Sequence, residues 1–381
     1  MLGMWTRREL LLTGMALPMA GGGTEQLSSP AGADSKWPSL TVAEKDLAMS
    51  WVEQAADGAK AFRFAKFDGK AWGAAKTIAA GQQLMLNWAD FPTIVWLGDG
   101  RYAAHWLERP QGAKGAYGIR IAFSQDDGAT WKTSFASTRP KTEGYEGFVS
   151  FSKGPKQLLA SFLDHSEPVT KLRLARFEFD GRFVGEDVID SDVCSCCQTS
   201  LVHAAGTPVV AYRDHEAGEI RDNSMARYVN GKWVLNGPVH RDGWKINACP
   251  VNGPALASRG ARVGAAWFTA ADGAAAVKAA FSTDGGASFE QAVVIDSEKP
   301  LGRVDSAMFR GGLIVAWLGR KGDQGELRLA YLETHGEVKA RQVIQAVNPA
   351  RSSGFPRLAA TAERCYVAWT SEAGVRVATL S

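Results

Sequence analysis

A short run of apolar residues ending in an aromatic side chain recurs along the chain at intervals of 50 to 56 residues. Each run is four or five residues long and rich in Val, Ala and Leu, which is typical of a β-strand buried on both faces. The runs occupy residues 47–51, 103–106, 158–162, 209–212, 263–267, 314–317 and 366–369. Because one large ring per repeat suits the wedge between neighbouring sheets, each run indicates one structural module.

Further strands and turns surround each run. Every run but the last is followed by a second strand, a tight turn with glycine and a third strand, and another short strand precedes it. The turn glycines are Gly69, Gly128, Gly181, Gly231, Gly286 and Gly336. Four strands per module predict an all-β fold, a β-propeller of four-stranded blades. We predict seven blades, although the last unit, residues 355–381, has only three strands; an irregular first or last unit would leave six.

Two of the turns share a longer pattern. Ser124, Asp126, Gly128 and Trp131 are spaced as Ser-x-Asp-x-Gly-x-x-Trp, and Ser282, Asp284, Gly286 and Phe289 repeat that spacing. The pattern resembles the Asp-box of the sialidase, or BNR-repeat, family. In such a turn the Asp accepts backbone N–H groups and the Gly permits a positive φ, so the box implies a propeller fold and carries no catalysis.

The first residues are typical of an export signal. Arg7 and Arg8 precede a short apolar run that ends in small residues, and this run is too short to span a membrane. The arginine pair resembles a twin-arginine signal, which exports proteins already folded, although two adjacent arginines also arise by chance. We predict a signal and flexible leader over residues 1–35, a single propeller domain over residues 36–381, and a periplasmic or secreted location.

The charge composition limits which classes of binding partner are expected. The 43 Lys and Arg residues nearly balance the 40 Asp and Glu residues, and no basic run with interleaved aromatics occurs, so nucleic acid is not an expected partner. No other stretch is long and apolar enough to predict a membrane span. We therefore expect a small-molecule or carbohydrate ligand at one end of the propeller.

The resemblance to Asp-box propellers implies which loops form that end. There the Asp-box turn joins strands three and four and lies opposite the binding face. We call the binding face the mouth: it carries the loops that run from strand four into the next blade and from strand two to strand three. The first kind of loop is expected at residues 81–90, 139–147, 190–199, 241–253, 296–305 and 347–356.

Four of the five cysteines fall in two of these loops. Cys194, Cys196 and Cys197 lie within four residues, and Cys249 lies in the loop that enters the following blade. Closely spaced thiolates suit a soft metal, copper(I) or zinc, as cofactor. A disulfide from Cys249 to one of the three, or a reactive thiol, would also explain the pattern. Cys365 lies in a predicted buried strand and is interpreted as an inert core thiol.

Charged residues near these loops are further candidates. Asp214 and His215, at the end of a strand that opens onto the mouth, suit a ligand or general base, or a salt-bridged blade edge. Arg213, Arg303 and Arg351 are also expected at the mouth. Sialidases hold the carboxylate of their sugar with three arginines, so the resemblance implies a carboxylate clamp, whereas inter-blade salt bridges would explain the arginines equally well.

The resemblance also implies a Tyr nucleophile with a Glu partner, and an Asp acid/base. Tyr145, Glu146 and Asp90 occur in mouth loops and are the candidates for these roles. The family's first-arginine segment, Arg-Ile-Pro after an aromatic residue, is absent from this sequence. The leading hypothesis is thus an exported propeller whose cysteine-rich mouth binds a soft metal, with Cys194, Cys196, Cys197 and Cys249 as ligands, or performs thiol chemistry. The alternatives are an exo-glycosidase acting on acidic sugars and a binding propeller without catalysis.

Overall fold

The described residues form a ring of seven antiparallel sheets, so the prediction of a seven-bladed β-propeller is confirmed. The computed structural model describes residues 24–44, 46–113, 115–140 and 143–380. The predicted export signal, in residues 1–23, lies outside this part of the chain. None of the helices in the described part is long and apolar enough to cross a membrane.

Strands make up almost all of the regular structure. In chain order they are β1 (Thr24–Leu27), β2 (Ser35–Ala43), β3 (Asp46–Gln54), β4 (Lys60–Phe67), β5 (Lys76–Ala80), β6 (Leu84–Met85), β7 (Thr93–Gly98), β8 (Arg101–Glu108), β9 (Gly118–Ser124), β10 (Lys132–Ala136), β11 (Tyr145–Lys153), β12 (Gln157–His165), β13 (Lys171–Glu178), β14 (Phe183–Asp190), β15 (Ser200–Ala204), β16 (Thr207–Arg213), β17 (Asn223–Val229), β18 (Lys232–Pro238), β19 (Ala255–Arg259), β20 (Arg262–Thr269), β21 (Ala276–Ser282), β22 (Val293–Asp296), β23 (Pro300–Phe309), β24 (Gly312–Lys321), β25 (Gln324–Leu332), β26 (Val338–Val347), β27 (Arg357–Ala360), β28 (Cys365–Ser371) and β29 (Gly374–Leu380). Two short 3-10 helices occur at Ala271–Gly273 and Arg351–Ser353.

Six blades use consecutive strands. They are β2–β5, β7–β10, β11–β14, β15–β18, β19–β22 and β23–β26, and the short β6 pairs with β8 beside β7. The second strand of each blade carries the recurring aromatic. That strand is buried on both faces, as in β24, whereas the outer strand β26 alternates between exposed and covered residues. The unbroken apolar runs in the sequence therefore mark the interior strands of the blades.

In four blades the recurring aromatic keeps a polar contact although it is buried, whereas the indole N–H of Trp369 in the seventh blade has no partner among the described residues. Each of the tryptophans at this position in four blades donates its indole N–H to a carboxylate at 2.6 to 2.7 Å. The pairs are Trp51 with Glu53, Trp106 with Glu108, Trp267 with Asp242, and Trp317 with Asp296. A Trp can fill the wedge between blades because its one polar atom finds a partner there.

The seventh blade joins the two ends of the described chain. Strands β27, β28 and β29 come from the C-terminal part, and β1 is the fourth strand, pairing Thr24 with Leu380 and Leu27 with Val377. This pairing supplies the strand that was missing from the last repeat. Residues 24–27 fall in the range that we assigned to a flexible leader, and the structure instead makes them part of the propeller.

Both Asp-box turns form the hydrogen bonds that their pattern indicates. The Asp126 carboxylate accepts the Thr130 N–H at 2.9 Å, and Ser124 Oγ accepts the Gly128 N–H at 2.8 Å. Asp284 and Ser282 repeat these contacts in the fifth blade. These turns join the third and fourth strands, so in an antiparallel blade they lie at the end opposite the mouth.

Gly128 should be the less replaceable of two glycines with similar backbone conformations. Its φ is +76°, and a Cβ at this position would lie 2.1 Å from Phe64 Cζ in the preceding blade, whereas Gly58, with φ +81°, has open space. Gly58→Ala is expected to cost about 1 kcal/mol through backbone strain alone. Gly128→Ala should cost roughly 2 to 4 kcal/mol because the Phe64 ring must also move. Urea unfolding followed by Trp fluorescence measures both, and equal losses would refute the packing role.

Candidate functional site

The cysteine loop connects β14 to β15 and is held against both of the blades that it joins. The Val193 N–H donates to Thr170 O at 3.0 Å, and the Cys194 N–H donates to Arg213 O at 3.1 Å. From a neighbouring mouth loop the Tyr145 hydroxyl donates to Ser195 O. These contacts fix the backbone on both sides of Cys194, so the three thiols leave the loop from a defined position.

The Sγ atoms of Cys194, Cys196 and Cys197, which we call the thiol cluster, lie within 4.8 Å of one another. Cys194 Sγ is 3.8 Å from Cys196 Sγ and 3.8 Å from Cys197 Sγ. A disulfide would need about 2.05 Å, and all five cysteines are free. Two sulfurs bound at about 2.3 Å to one metal lie about 3.8 to 4.0 Å apart at tetrahedral or trigonal angles. The two distances from Cys194 Sγ are therefore compatible with sulfurs that share an ion and are too long for a disulfide bond.

One thiolate is already favoured in this cluster. Hydrogen bonds with the Cys196 and Cys197 thiols, and a further one from Arg221, lower the pKa of Cys194. The contact with Cys194 raises the pKa of Cys196, and burial raises that of Cys197. Negative charge in the cluster is therefore favoured on the Cys194 sulfur, which contacts two thiols and a guanidinium.

Arg221 is a site residue that sequence reasoning missed. It lies in the loop between β16 and β17, and its Nη1 is 3.5 Å from Cys194 Sγ while its Nη2 donates to Glu219 at 2.7 Å. A single charged residue in a loop forms no sequence pattern. The only indication of Arg221 was the rule that loops from strand two to strand three face the mouth.

His215 is linked to Arg221 through charged side chains. Its Nδ1 is 2.8 Å from the Asp192 carboxylate and its Nε2 is 3.4 Å from Glu219, the residue that holds Arg221. The hydrogen bond with Asp192 raises the pKa of His215. Asp214 instead accepts the Ser224 hydroxyl at 2.8 Å and the His215 N–H. His215 therefore supports the cluster through Arg221, and Asp214 shapes the turn.

The three arginines do not share one position at the mouth. Arg213 is 2% exposed, and its guanidinium donates to the carbonyls of Asn252, Phe268 and Arg221. Arg303 donates to Ala350 O at 2.9 Å. The guanidinium carbons of Arg303 and Arg351 lie 5.0 and 5.6 Å from the Trp88 ring centre. Arg213 thus joins blades four and five, while only Arg303 and Arg351 face a common side chain.

The Tyr and Glu candidates bind different partners. The Tyr145 hydroxyl donates to Ser195 O, and its ring stacks on Tyr117 with centroids 4.9 Å apart. The fully buried Glu146 accepts hydrogen bonds from Ser137 and Arg139, and burial raises its pKa to about 7. Tyr145 and Glu146 are consecutive strand residues, so their side chains point to opposite faces of the sheet and contact different groups.

Asp90 holds the backbone of the next blade. Phe148 has a φ of +57° and donates its N–H to Asp90 Oδ1 at 2.7 Å. Asp90 Oδ2 is buried without a hydrogen-bond partner, and burial raises the pKa of this carboxyl to about 7. The same left-handed turn recurs in two further blades, with a side-chain acceptor from the preceding blade: Arg303 N–H to Asn252 Oδ1 and Trp37 N–H to Thr370 Oγ1. Asp90 is therefore part of a repeated inter-blade contact beside the central cavity of about 210 Å³ that it lines.

Comparisons with known proteins support the fold. No protein-family model and no curated protein matches the chain. Similar solved structures include a protein of unknown function from Dyadobacter fermentans, with 14% identity, a TM-score of 0.52, and coverage of 96% of this chain and 100% of that one. An α-L-arabinofuranosidase from Fusarium graminearum has 11% identity, a TM-score of 0.50 and coverage of 94% and 96%. A subtype N10 neuraminidase-like protein of A/little yellow-shouldered bat has 8% identity, a TM-score of 0.50 and coverage of 94% and 98%.

At these identities the comparisons establish a shared propeller fold. An α-L-arabinofuranosidase and a neuraminidase-like protein thus share the propeller fold of this chain. Propellers host many unrelated functions, so the function has to be argued from the site.

Proposed function

We propose that this protein binds a soft metal ion at its mouth through Cys194, Cys196 and Cys197. The observation that carries the proposal is the spacing of their three sulfurs, which lie within 4.8 Å of one another without a disulfide. Cys194 is favoured as a thiolate, which is the form that binds metals. Arg221 stabilises the negative charge that accumulates when thiolates share an ion.

Copper(I) suits this set of ligands better than zinc does. Structural zinc sites almost always have four protein ligands, whereas the thiol cluster has three sulfurs. Thiolates also favour copper(I) as soft ligands. Two of the three cysteines are buried and Cys196 is partly exposed, so an ion would be shielded from water and reached from one side.

The predicted export is a second, independent reason to propose a bound metal. In an oxidising compartment three close thiols would tend to form a disulfide, and a bound metal would keep them reduced. The twin-arginine-like start fits a protein that is exported folded with its metal in place. We propose a periplasmic or secreted location on this basis.

The glycosidase alternative has less support from the site. Arg213 is committed to backbone carbonyls, and Tyr145 and Glu146 bind different groups. A carboxylate clamp and a Tyr–Glu pair would both need rearrangement of buried side chains.

Serine substitution within the thiol cluster should abolish tight metal binding. We expect the wild-type protein to bind one copper(I) per chain in competition with a chromogenic chelator. Cys196→Ser and Cys197→Ser should each lower the affinity by roughly a hundredfold or more, since loss of a ligand exceeds the effect of an outer-shell change. Ser195→Ala, in the same loop, is the matched control and should bind as wild type.

Three outcomes would contradict the proposal at different levels. Stoichiometric binding of zinc, with weaker binding of copper(I), would support the metal site but contradict its preference for copper(I). Absence of both metals, with one rapidly alkylated thiol, would replace the metal site with thiol chemistry. Hydrolysis of a fluorogenic sialoside that survives Cys196→Ser and is lost in Arg303→Ala would favour the glycosidase.

A further inference from the structure

The loop that carries Cys249 is anchored on two sides of the thiol cluster. At one end the Arg221 N–H donates to Trp244 O and the Ile246 N–H donates to Glu219 O, each at 2.9 Å. At the other end the Gly253 N–H donates to the side chain of Gln198, which follows Cys197 directly. Residues 247–250 therefore span between the segment that holds Arg221 and the segment that holds the three cysteines.

The side chains of this loop agree with that placement. Val251 packs in the same apolar cluster as Val193, the residue before Cys194. The hydroxyl of Tyr145 also binds Ser195 O, between the cysteines of the cluster.

Cys249 differs from the clustered thiols in its accessibility. It is exposed, whereas Cys194 and Cys197 are buried, and it does not belong to the group of sulfurs within 4.8 Å. An exposed thiol in the loop next to the site can meet an incoming complex that the buried sulfurs of Cys194 and Cys197 cannot reach.

We propose that Cys249 is the entry and exit thiol of the site, which takes the metal from an external carrier and passes it to the thiol cluster. This inference rests on the proposed function and adds to it a route for exchange. It assigns a kinetic role to Cys249, and the resident ligands remain Cys194, Cys196 and Cys197.

The transfer is a sequence of ligand exchanges. The Cys249 sulfur bonds to copper(I) as one ligand of the carrier leaves, and the thiol proton passes to water. The clustered sulfurs would then bond to the ion as the remaining carrier ligands leave, and the clustered thiols would release their protons to water. The bond to Cys249 would break, and Cys249 would regain a proton. Copper stays in the +1 state throughout, so no oxidant or reductant is consumed.

The test measures the rate and the equilibrium of copper uptake in the same proteins. Apo protein is mixed anaerobically with the copper(I) complex of bicinchoninate, and loss of the complex's absorbance gives the transfer rate. Cys249→Ser should slow transfer by roughly tenfold or more, a range typical of variants impaired in association. Its affinity at equilibrium should remain that of the wild type. Asn247→Ser, an exposed change in the same loop, is the control and should match the wild type in both measurements.

The outcomes separate this inference from the proposed function. Wild-type rates in Cys249→Ser would overturn the entry role and leave the three-cysteine site intact. A loss of affinity as large as that in Cys196→Ser would make Cys249 a resident fourth ligand, which also overturns the entry role. A wild-type protein that takes up neither copper(I) nor zinc at equilibrium would refute the proposed function itself.

Discussion

Replacing Arg213 with methionine is expected to lower the free energy of unfolding by about 3 to 5 kcal/mol. The guanidinium donates to Asn252 O at 2.7 Å and to Phe268 O at 2.9 Å, and its carbon lies 4.7 Å from the centre of the Trp244 ring. Methionine keeps an unbranched apolar stem, although it is shorter, and removes every N–H donor. The buried carbonyls would then lose their partners at about 1 to 3 kcal/mol each.

Urea unfolding monitored by Trp fluorescence measures this loss. Arg182→Met is the control because its side chain is 66% exposed and its ion pair with Glu178 spans 3.4 Å, so its removal should cost less than about 1 kcal/mol. If Arg213→Met were as mild as the control, Arg213 would be free for a ligand, and the arginine clamp would regain support.

Asp90→Asn should stabilise the protein at alkaline pH and have little effect in acid. Burial raises the pKa of the Asp90 carboxyl from 3.8 to about 7 in the folded state. Between these values the folded protein keeps a proton that the unfolded chain releases, so stability falls as pH rises through this window and the penalty is complete above about pH 7. The full penalty is about 4 kcal/mol. An amide retains an oxygen to accept the Phe148 N–H and removes the titration.

The measurement is the difference in unfolding free energy between the variant and the wild type at several pH values. The advantage of Asp90→Asn should grow by about 3 kcal/mol between pH 5 and pH 8. Glu146, whose pKa is also raised to about 7, titrates in both proteins and cancels in this difference. A difference that does not change with pH would mean that Asp90 is charged in the folded protein.

The fold was predictable because every blade repeats the same strand pattern in the sequence. Each blade needs an interior strand that is buried on both faces, so the sequence repeats an apolar run and an aromatic in every unit. The closing strand Thr24–Leu27 escaped prediction because its residues are polar and largely exposed at the edge of the seventh blade. An outer strand needs only backbone pairing, and backbone pairing does not require a particular residue type.

The site was predictable only where several reactive residues lie close together in the sequence. Cys194, Cys196 and Cys197 come together because they share one loop, and their geometry follows from that proximity. Arg221 gave no comparable signal, since its role depends on a fold that places two loops side by side. Arg213 was expected to face a ligand and instead binds carbonyls between two blades, because its strand ends inside the inter-blade contact.

The pairing of β1 with β29 also sets the order in which the ring can form. Thr24 finds its partner in Leu380, almost the whole chain away, so the last sheet is completed only after the C-terminal strand has been synthesised. Contacts of such long range form slowly, and until then β29 presents an open strand edge that can pair with other chains. Completion of the propeller is thus a post-translational event.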